Sequence, residues 1–368
     1  MRRSTLLRAA GSAAAGLALP LPALAVPASD AFAPDSARWH TYVVTTEMHL
    51  AKTGPSRAWI PVPSFASSWI RPLGTSWTTN ATSAELFTAA ATGAQMVALR
   101  WDAADATPVA IVRSTVATRD RFADLSRPAT APALSDADRA RYTAPTRWIP
   151  TDGIVKSTAD AIVAGSTSDV DRARRIYAWI VANTYRNAST RGCGSGDIAG
   201  LLRSGNLGGK CADLNGLYVG LARAAGLPAR DLYGIRVAPS RFGYHSLGAN
   251  SAVITGAQHC RAEVYLAGHG WVPVDPADVR KVMLEEPPGN LAANDAKVAA
   301  ANATLFGAWE GNWIAYNDGA DIALPGSSAA PLPFLMYPQA VNADVACDCL
   351  TPSAVSYRIT AETIAGTA

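Results

Sequence analysis

Cys211 closes the run Gly208-Gly209-Lys210-Cys211 and opens a stretch with helical periodicity. Two glycines permit a tight turn, so the cysteine falls in the first turn of that helix. A helix N-terminus carries partial positive charge, and its unpaired amides can face a developing oxyanion. Such a location lowers a thiol pKa and favours the nucleophilic thiolate. The competing reading is a buried structural cysteine, the usual fate of an unpaired thiol.

A thiolate needs a base, and His259 is placed to supply one. His259-Cys260-Arg261-Ala262-Glu263-Val264-Tyr265 reads as a strand, with His259, Arg261, Glu263 and Tyr265 on one face. Gly268-His269-Gly270 supplies a turn, and Trp271-Val272-Pro273-Val274-Asp275 returns. A hairpin centred on residue 267 is predicted to set Asp275 abreast of His259, about 5 Å away. A carboxylate there would fix the imidazole tautomer and stabilise the imidazolium, while the other ring nitrogen faces the thiol. The structural alternative is a histidine stacked in a β core with an aspartate capping a strand end. His245 is a poorer base, because RFGYHSLGAN is loop-like and holds no carboxylate at a useful spacing. His269 sits in the glycine turn.

The elements that must hold these residues divide into two kinds. Residues 40–50, 57–63, 96–102 and 109–118 are β-branched, aromatic and partly alternating, so the N-terminal part is predicted to be β-rich and sandwich-like. Residues 126–150 hold several prolines and read as a connection. Ser168 with Asp171 marks a helix start, followed by Ile176, Tyr177, Ile180 and Val181 at helical spacing. Cys211 to Ala225 forms a second helix, stopped by Gly226 and Pro228. Strands follow at 233–237, 259–266 and 271–274. Helices first and antiparallel strands after them indicate an α+β domain. The expected division is a signal at 1–25, the β-rich part with its linker at 26–145, a catalytic domain at 146–290 and a loop-rich extension at 291–368 that packs on the core.

Arg2 and Arg3, a weakly apolar Ala/Gly-rich run and Ala23-Leu24-Ala25 form an export signal resembling the twin-arginine type. Its removal takes three of the 32 basic residues and leaves 29 against 29 acidic ones. A neutral chain lacks the electrostatic footprint of a nucleic-acid partner. No later run is long enough to span a bilayer, so a periplasmic or secreted protein without stable membrane insertion is expected. Five cysteines, at 193, 211, 260, 347 and 349, leave at least one without an internal partner. Cys347-Asp348-Cys349 is a weak metal or redox signal, better read as a surface loop able to hold a disulfide. Cys193 either lines the cleft or pairs with Cys260.

The segments GNLGGKCADLNGLYVGLARAAGLPARDLYGIRV and AQHCRAEVYLAGHGWVPVDPADV resemble the bacterial branch of the transglutaminase-like superfamily. The resemblance is specific from Asp171 to Val279. It implies a papain-like α+β core with Cys211 as nucleophile, His259 as base and Asp275 as orienter. It also implies an oxyanion or substrate group upstream of the cysteine, for which Tyr185 is the best match, the alternative being a helix-end tyrosine that packs on the core. Arg261 departs from the family's aromatic residue at that place. It is expected either to re-polarise the cleft or to pair with Glu263 on a solvated face. The expected chemistry is attack on an amide or peptide carbonyl through a thioester acyl-enzyme, with a peptide or protein substrate. It calls for no metal or organic cofactor, and no calcium loop is visible. The rival from another class is a peptide- or cell-wall-binding module that turns nothing over. A thiol-reactive probe on Cys211 separates the two.

Overall fold

The alternation read in the N-terminal strands is realised as two facing β-sheets. The computed structural model describes residues 34–364 apart from 52–53, 103–106, 128–129, 344 and 352–354, so the export signal lies outside the described residues. One sheet runs in the order Tyr357–Ile364, Trp39–His49, Val109–Arg119, Ile70–Thr79. The other runs Val345–Ala346, Gln339–Asn342, Ser56–Val62, Gln95–Trp101, Ser83–Thr88. Tyr42, Val44 and Met48 recur at the period of two that turns every second side chain inward. They share one apolar cluster with Ile60, Val62, Leu99 and Val112.

The third sheet holds the core and runs Gly270–Val274, Gln258–Leu266, Ala229–Arg236, Trp313–Asn317. Against it lies the helix Cys211–Ala224, all but one of whose residues are buried. Gly220 lets that helix press on Ile198, since a β-carbon there would stand 2.1 Å from the Ile198 side chain. The helix Asp169–Asn183 starts as the sequence indicates, Ser168 accepting from the Asp171 amide, and buries Ala173, Ile176, Tyr177 and Ile180. The stop after Ala225 is a left-handed Gly226. Among the described residues no helix is long and apolar enough to cross a membrane.

The C-terminal part differs from the loop-rich extension expected of it. Tyr357–Ile364 pairs along Trp39–His49, Gln339–Asn342 along Ser56–Val62, and Trp313–Asn317 along Ala229–Arg236. The tail therefore supplies a strand to each of the three sheets and ties the β-rich part to the core. Two of these strands have only four or five residues, and the N-terminal partners lie about 300 residues away, beyond the reach of a local pattern. The connection at 126–150 likewise contains a helix, Asp136–Thr143, capped by Ser135.

Candidate active site

Cys211 occupies the first turn of its helix, as its glycine-led approach requires. Asp213 stitches that turn in place. It accepts the Lys210 amide at 3.0 Å and the Ser195 and Gly196 amides at 3.0 Å each. The Ala212 amide donates to the Cys193 carbonyl at 2.9 Å, so residues 193–196 wrap the helix start. Gly194 and Gly209 leave the room that Asp213 fills, since a β-carbon at either would meet its carboxylate.

His259 enters from the strand Gln258–Leu266, and its Nε2 bonds Asp275 Oδ2 at 2.8 Å. Asp278 Oδ1 lies 3.4 Å from the same nitrogen. With Nε2 held there, Nδ1 remains for the Cys211 thiol, which lines the same cleft. The hairpin register differs from the expected one. Tyr265 faces Trp271 and Ala262 faces Val274, so the turn centres on residue 268, and continuing the pairing sets Arg261, not His259, abreast of Asp275. Asp275 thus reaches His259 diagonally. The shift of two keeps both side chains on one face, which is why the pair still forms.

Asp275 is also the N-cap of the helix Pro276–Glu285, its Oδ1 accepting from the Asp278 amide at 3.1 Å. Asn215, one turn after Cys211, donates from Nδ2 to Asp275 Oδ1 at 3.0 Å and to the Cys260 carbonyl at 2.8 Å. It also accepts from the Ala277 amide. One amide side chain thereby joins the cysteine helix, the histidine strand and the aspartate turn. Asp278, in turn, is held bidentate by Arg236 at 2.6 and 2.8 Å. Asn215, Asp278 and Arg236 were not singled out from the sequence. Asp275-Pro276-Ala277-Asp278 is nonetheless a legible helix start, with a capping acid, proline at N1 and an acid at N3.

The electrostatics follow from this cage. Burial opposes a charge on His259, but Asp278 and then Asp275 outweigh it together with Arg236, and the imidazole is raised to about 9. Burial also opposes the Cys211 thiolate, yet the Cys193 and Cys260 thiols and His259 hydrogen bond to it and hold it well below the ordinary thiol range. Both shifts favour the same charge-separated form, a thiolate beside an imidazolium. Sγ atoms of Cys193, Cys211 and Cys260 all lie within 4.8 Å of one another, and all five cysteines are free thiols. Cys193 thus both lines the cleft and meets Cys260.

Two clusters have donor sets that a cation could use: the three thiols, and His259 with Asp275 and Asp278. In the second, Arg236, Arg261 and Asn215 already engage the carboxylates. In the first, a soft ion would consume the Cys211 thiolate itself.

The remaining sequence candidates lie elsewhere. Arg261 is only 2% exposed, between the rings of Trp309 and Trp313 at 5.2 and 5.1 Å. Its Nη1 donates to the Glu310 carbonyl at 2.8 Å and its Nε lies 3.5 Å from Asp275 Oδ2. It stands behind Asp275 and is not part of the cleft wall. Glu263 is fully buried and paired with Arg121 and Arg230, so the solvated Arg261–Glu263 pair does not exist. Tyr185 is 41% exposed, its ring covering Gly208 and its hydroxyl bonded to Asn206. Its strand neighbour Arg186 is the one that faces the cleft. His245 is exposed on a short 3-10 turn and does not line the cleft that Cys211 lines.

The cleft above Cys211 and His259 has a volume of about 450 Å³. Gln258 stands on its wall, and its Nε2 is buried without a partner among the described residues.

Residues 156–276 match the model of the transglutaminase-like superfamily. An uncharacterized protein of Haemophilus influenzae is 44% identical over 212 residues, 55% of this chain and 57% of that protein. The chain thus spans a little over half the length of that relative. A Cytophaga hutchinsonii structure described provisionally as a cysteine protease covers 90% of this chain and 93% of its own. Its identity is 15% and its TM-score 0.52, a likeness of fold. The core is a transglutaminase-like, papain-like α+β fold preceded by a β-rich region, with Cys193, Cys211 and Cys260 forming one cluster and His259, Asp275 and Asp278 another.

Proposed function

We propose that this chain is an exported thiol enzyme that opens amide or peptide bonds, with Cys211 as nucleophile, His259 as acid and base, and Asp275 as orienter. The observation that carries the reading is a buried His259 bonded to Asp275 at 2.8 Å in the cleft that the helix-start Cys211 also lines. The Cys211 thiolate attacks the carbonyl carbon, and the carbonyl π pair moves to oxygen. The Gln258 amide, free on the cleft wall, is the donor that meets that oxyanion. As the tetrahedral centre collapses, the imidazolium gives its Nδ1 proton to the departing amine, leaving a thioester. Water or a second amine then attacks the thioester, His259 takes its proton, and Cys211 leaves as thiolate. The acceptor decides between peptidase and acyl transferase. Asp275 and Asp278 keep the imidazole oriented throughout and favour its charged form before and after the transfer.

The test is a screen of peptide amides with mass-spectrometric detection of an acyl adduct on Cys211. Cys211→Ala should be folded, with about a kcal/mol or so of altered stability, and should form neither adduct nor product. Full turnover by that variant sinks the assignment.

A further inference from the structure

The wall of the cleft carries charge of one sign. Arg186, Lys210, Arg236 and Lys281 line it, and among the described residues no aspartate or glutamate does. Arg236 is neutralised by Asp278 behind it. The thiolate and imidazolium cancel each other, and Asp275 is faced by Arg261. Arg186 and Lys281 share a single carboxylate, Glu285, which bonds Arg186 closely and lies 3.8 Å from Lys281. The Lys210 ammonium has no carboxylate partner among the described residues. Three cations therefore stand against one acid around the nucleophile. Lys281 is a costly residue to place there, because its side chain is only 18% exposed. A largely buried ammonium with one ion-pair partner at 3.8 Å, Asp278 as the other acid acting on it and two guanidinium groups nearby favours an added counter-ion.

We propose that the cleft takes an anionic substrate, a peptide that presents a carboxylate next to the scissile amide to Lys281, Lys210 and Arg186. The inference rests on Cys211 being the nucleophile, since it concerns what approaches that sulfur. The carboxylate supplies the missing counter-charge, and the lysines hold it beside the carbonyl under attack. Walls of low dielectric focus such a field and raise the local concentration of an anion by about tenfold or more. The carboxylate comes either from an acidic side chain or from a free chain end.

Alkylation of Cys211 by iodoacetate and by iodoacetamide, followed by mass spectrometry on the native full chain, tests this without a known substrate. The two reagents differ only in the charge next to the reacting carbon. The iodoacetate-to-iodoacetamide rate ratio at Cys211 should exceed that of N-acetylcysteine by about tenfold and shrink with added salt. Lys281→Met should lower the ratio several-fold and Lys210→Gln should lower it less, each keeping the native melting profile. A ratio equal to or below that of N-acetylcysteine overturns the proposal while leaving the nucleophile intact. The source of the carboxylate is read from competition against iodoacetamide. Short acetylated alanine peptides are compared with internal Glu or Gln, and with a free or amidated C-terminus. If neither reagent modifies Cys211, the proposed function fails instead. The charge preference is then decided by calorimetric titration of the same peptides, where equal affinity for acid and amide forms overturns it.

Discussion

The strand Gln258–Leu266 carries a buried charge cluster at each end, and the two ends are built for different work. Toward Leu266, Glu263 is closed off. Arg121 reaches its Oε1 at 2.5 Å, and Arg230 holds its Oε2 at 2.8 and 2.6 Å. Arg230 lies 3.9 Å over the Trp271 ring and 4.7 Å over Phe65. Arg121 comes from the β-rich region, so this end locks that region onto the core. Toward Gln258, the same elements of buried carboxylate and arginine surround His259, but one face stays open. Both aspartates contact the imidazole at Nε2, and the cleft reaches His259 and Cys211 alike. A buried ion pair satisfied on every side fixes structure, whereas one that contains a titratable ring facing a cavity can move a proton.

The largest expected effect separates the two ends at once. His259→Ala should lower turnover by about a thousandfold or more while changing stability by about 1–2 kcal/mol. Glu263→Gln should do the reverse. Two buried guanidinium groups lose their counter-charge, at a cost of about 3–5 kcal/mol by urea unfolding, and the protein that remains folded should alkylate at Cys211 normally. If Glu263→Gln abolishes thiol reactivity in folded protein, the two ends are not independent.

Asp275→Asn sharpens the open end. It should cost about 10–1,000-fold in turnover, less than in a serine enzyme, because a thiolate–imidazolium pair leans less on its third member. The double change at 259 and 275 should be hardly worse than His259→Ala, while His245→Ala should cost little. Additive losses in that series would mean that Asp275 acts independently of His259. Cys193→Ala removes a thiol whose sulfur lies within 4.8 Å of the Cys211 sulfur. Iodoacetamide alkylation should then begin at a higher pH, with a few-fold slower rate at neutral pH and no such shift for Cys347→Ala.

The pH dependence should also differ between the ends. His259 is raised to about 9. Its contribution to stability is full below the unfolded value near 6.5 and is lost as pH rises through about 9, with activity falling over the same upper range. Glu263 is lowered against its burial by Arg121 and Arg230. Its contribution is present above the ordinary glutamate value and is lost as pH falls through its depressed one. Melting temperatures of His259→Ala and Glu263→Gln across pH should each flatten one limb of the profile and leave the other.

What the sequence by itself determined is local. Two glycines before Cys211, Ser168 three residues before Asp171, and Gly226 with Pro228 are each read by neighbours a turn away, and each stands where its own chemistry demands. The strand carrying His259 and the return carrying Asp275 were equally legible, and their side-chain parity survived a register that moved by two. Only the tertiary structure decided the rest. Arg261 and Glu263 look like a solvated face because charged residues on a strand usually are. The β-rich region and the C-terminal strands cover that face with Trp69, Trp309, Trp313 and Arg121, and turn it into an interior. Asn215, Arg236 and Asp278 became parts of the site because a helix, a strand and a helix cap converge on His259 from segments up to 63 residues apart. Spacing along a chain fixes what a residue's own element does with it. Which other element arrives to desolvate it, pair it or leave it facing a cavity depends on packing between segments that no local pattern connects.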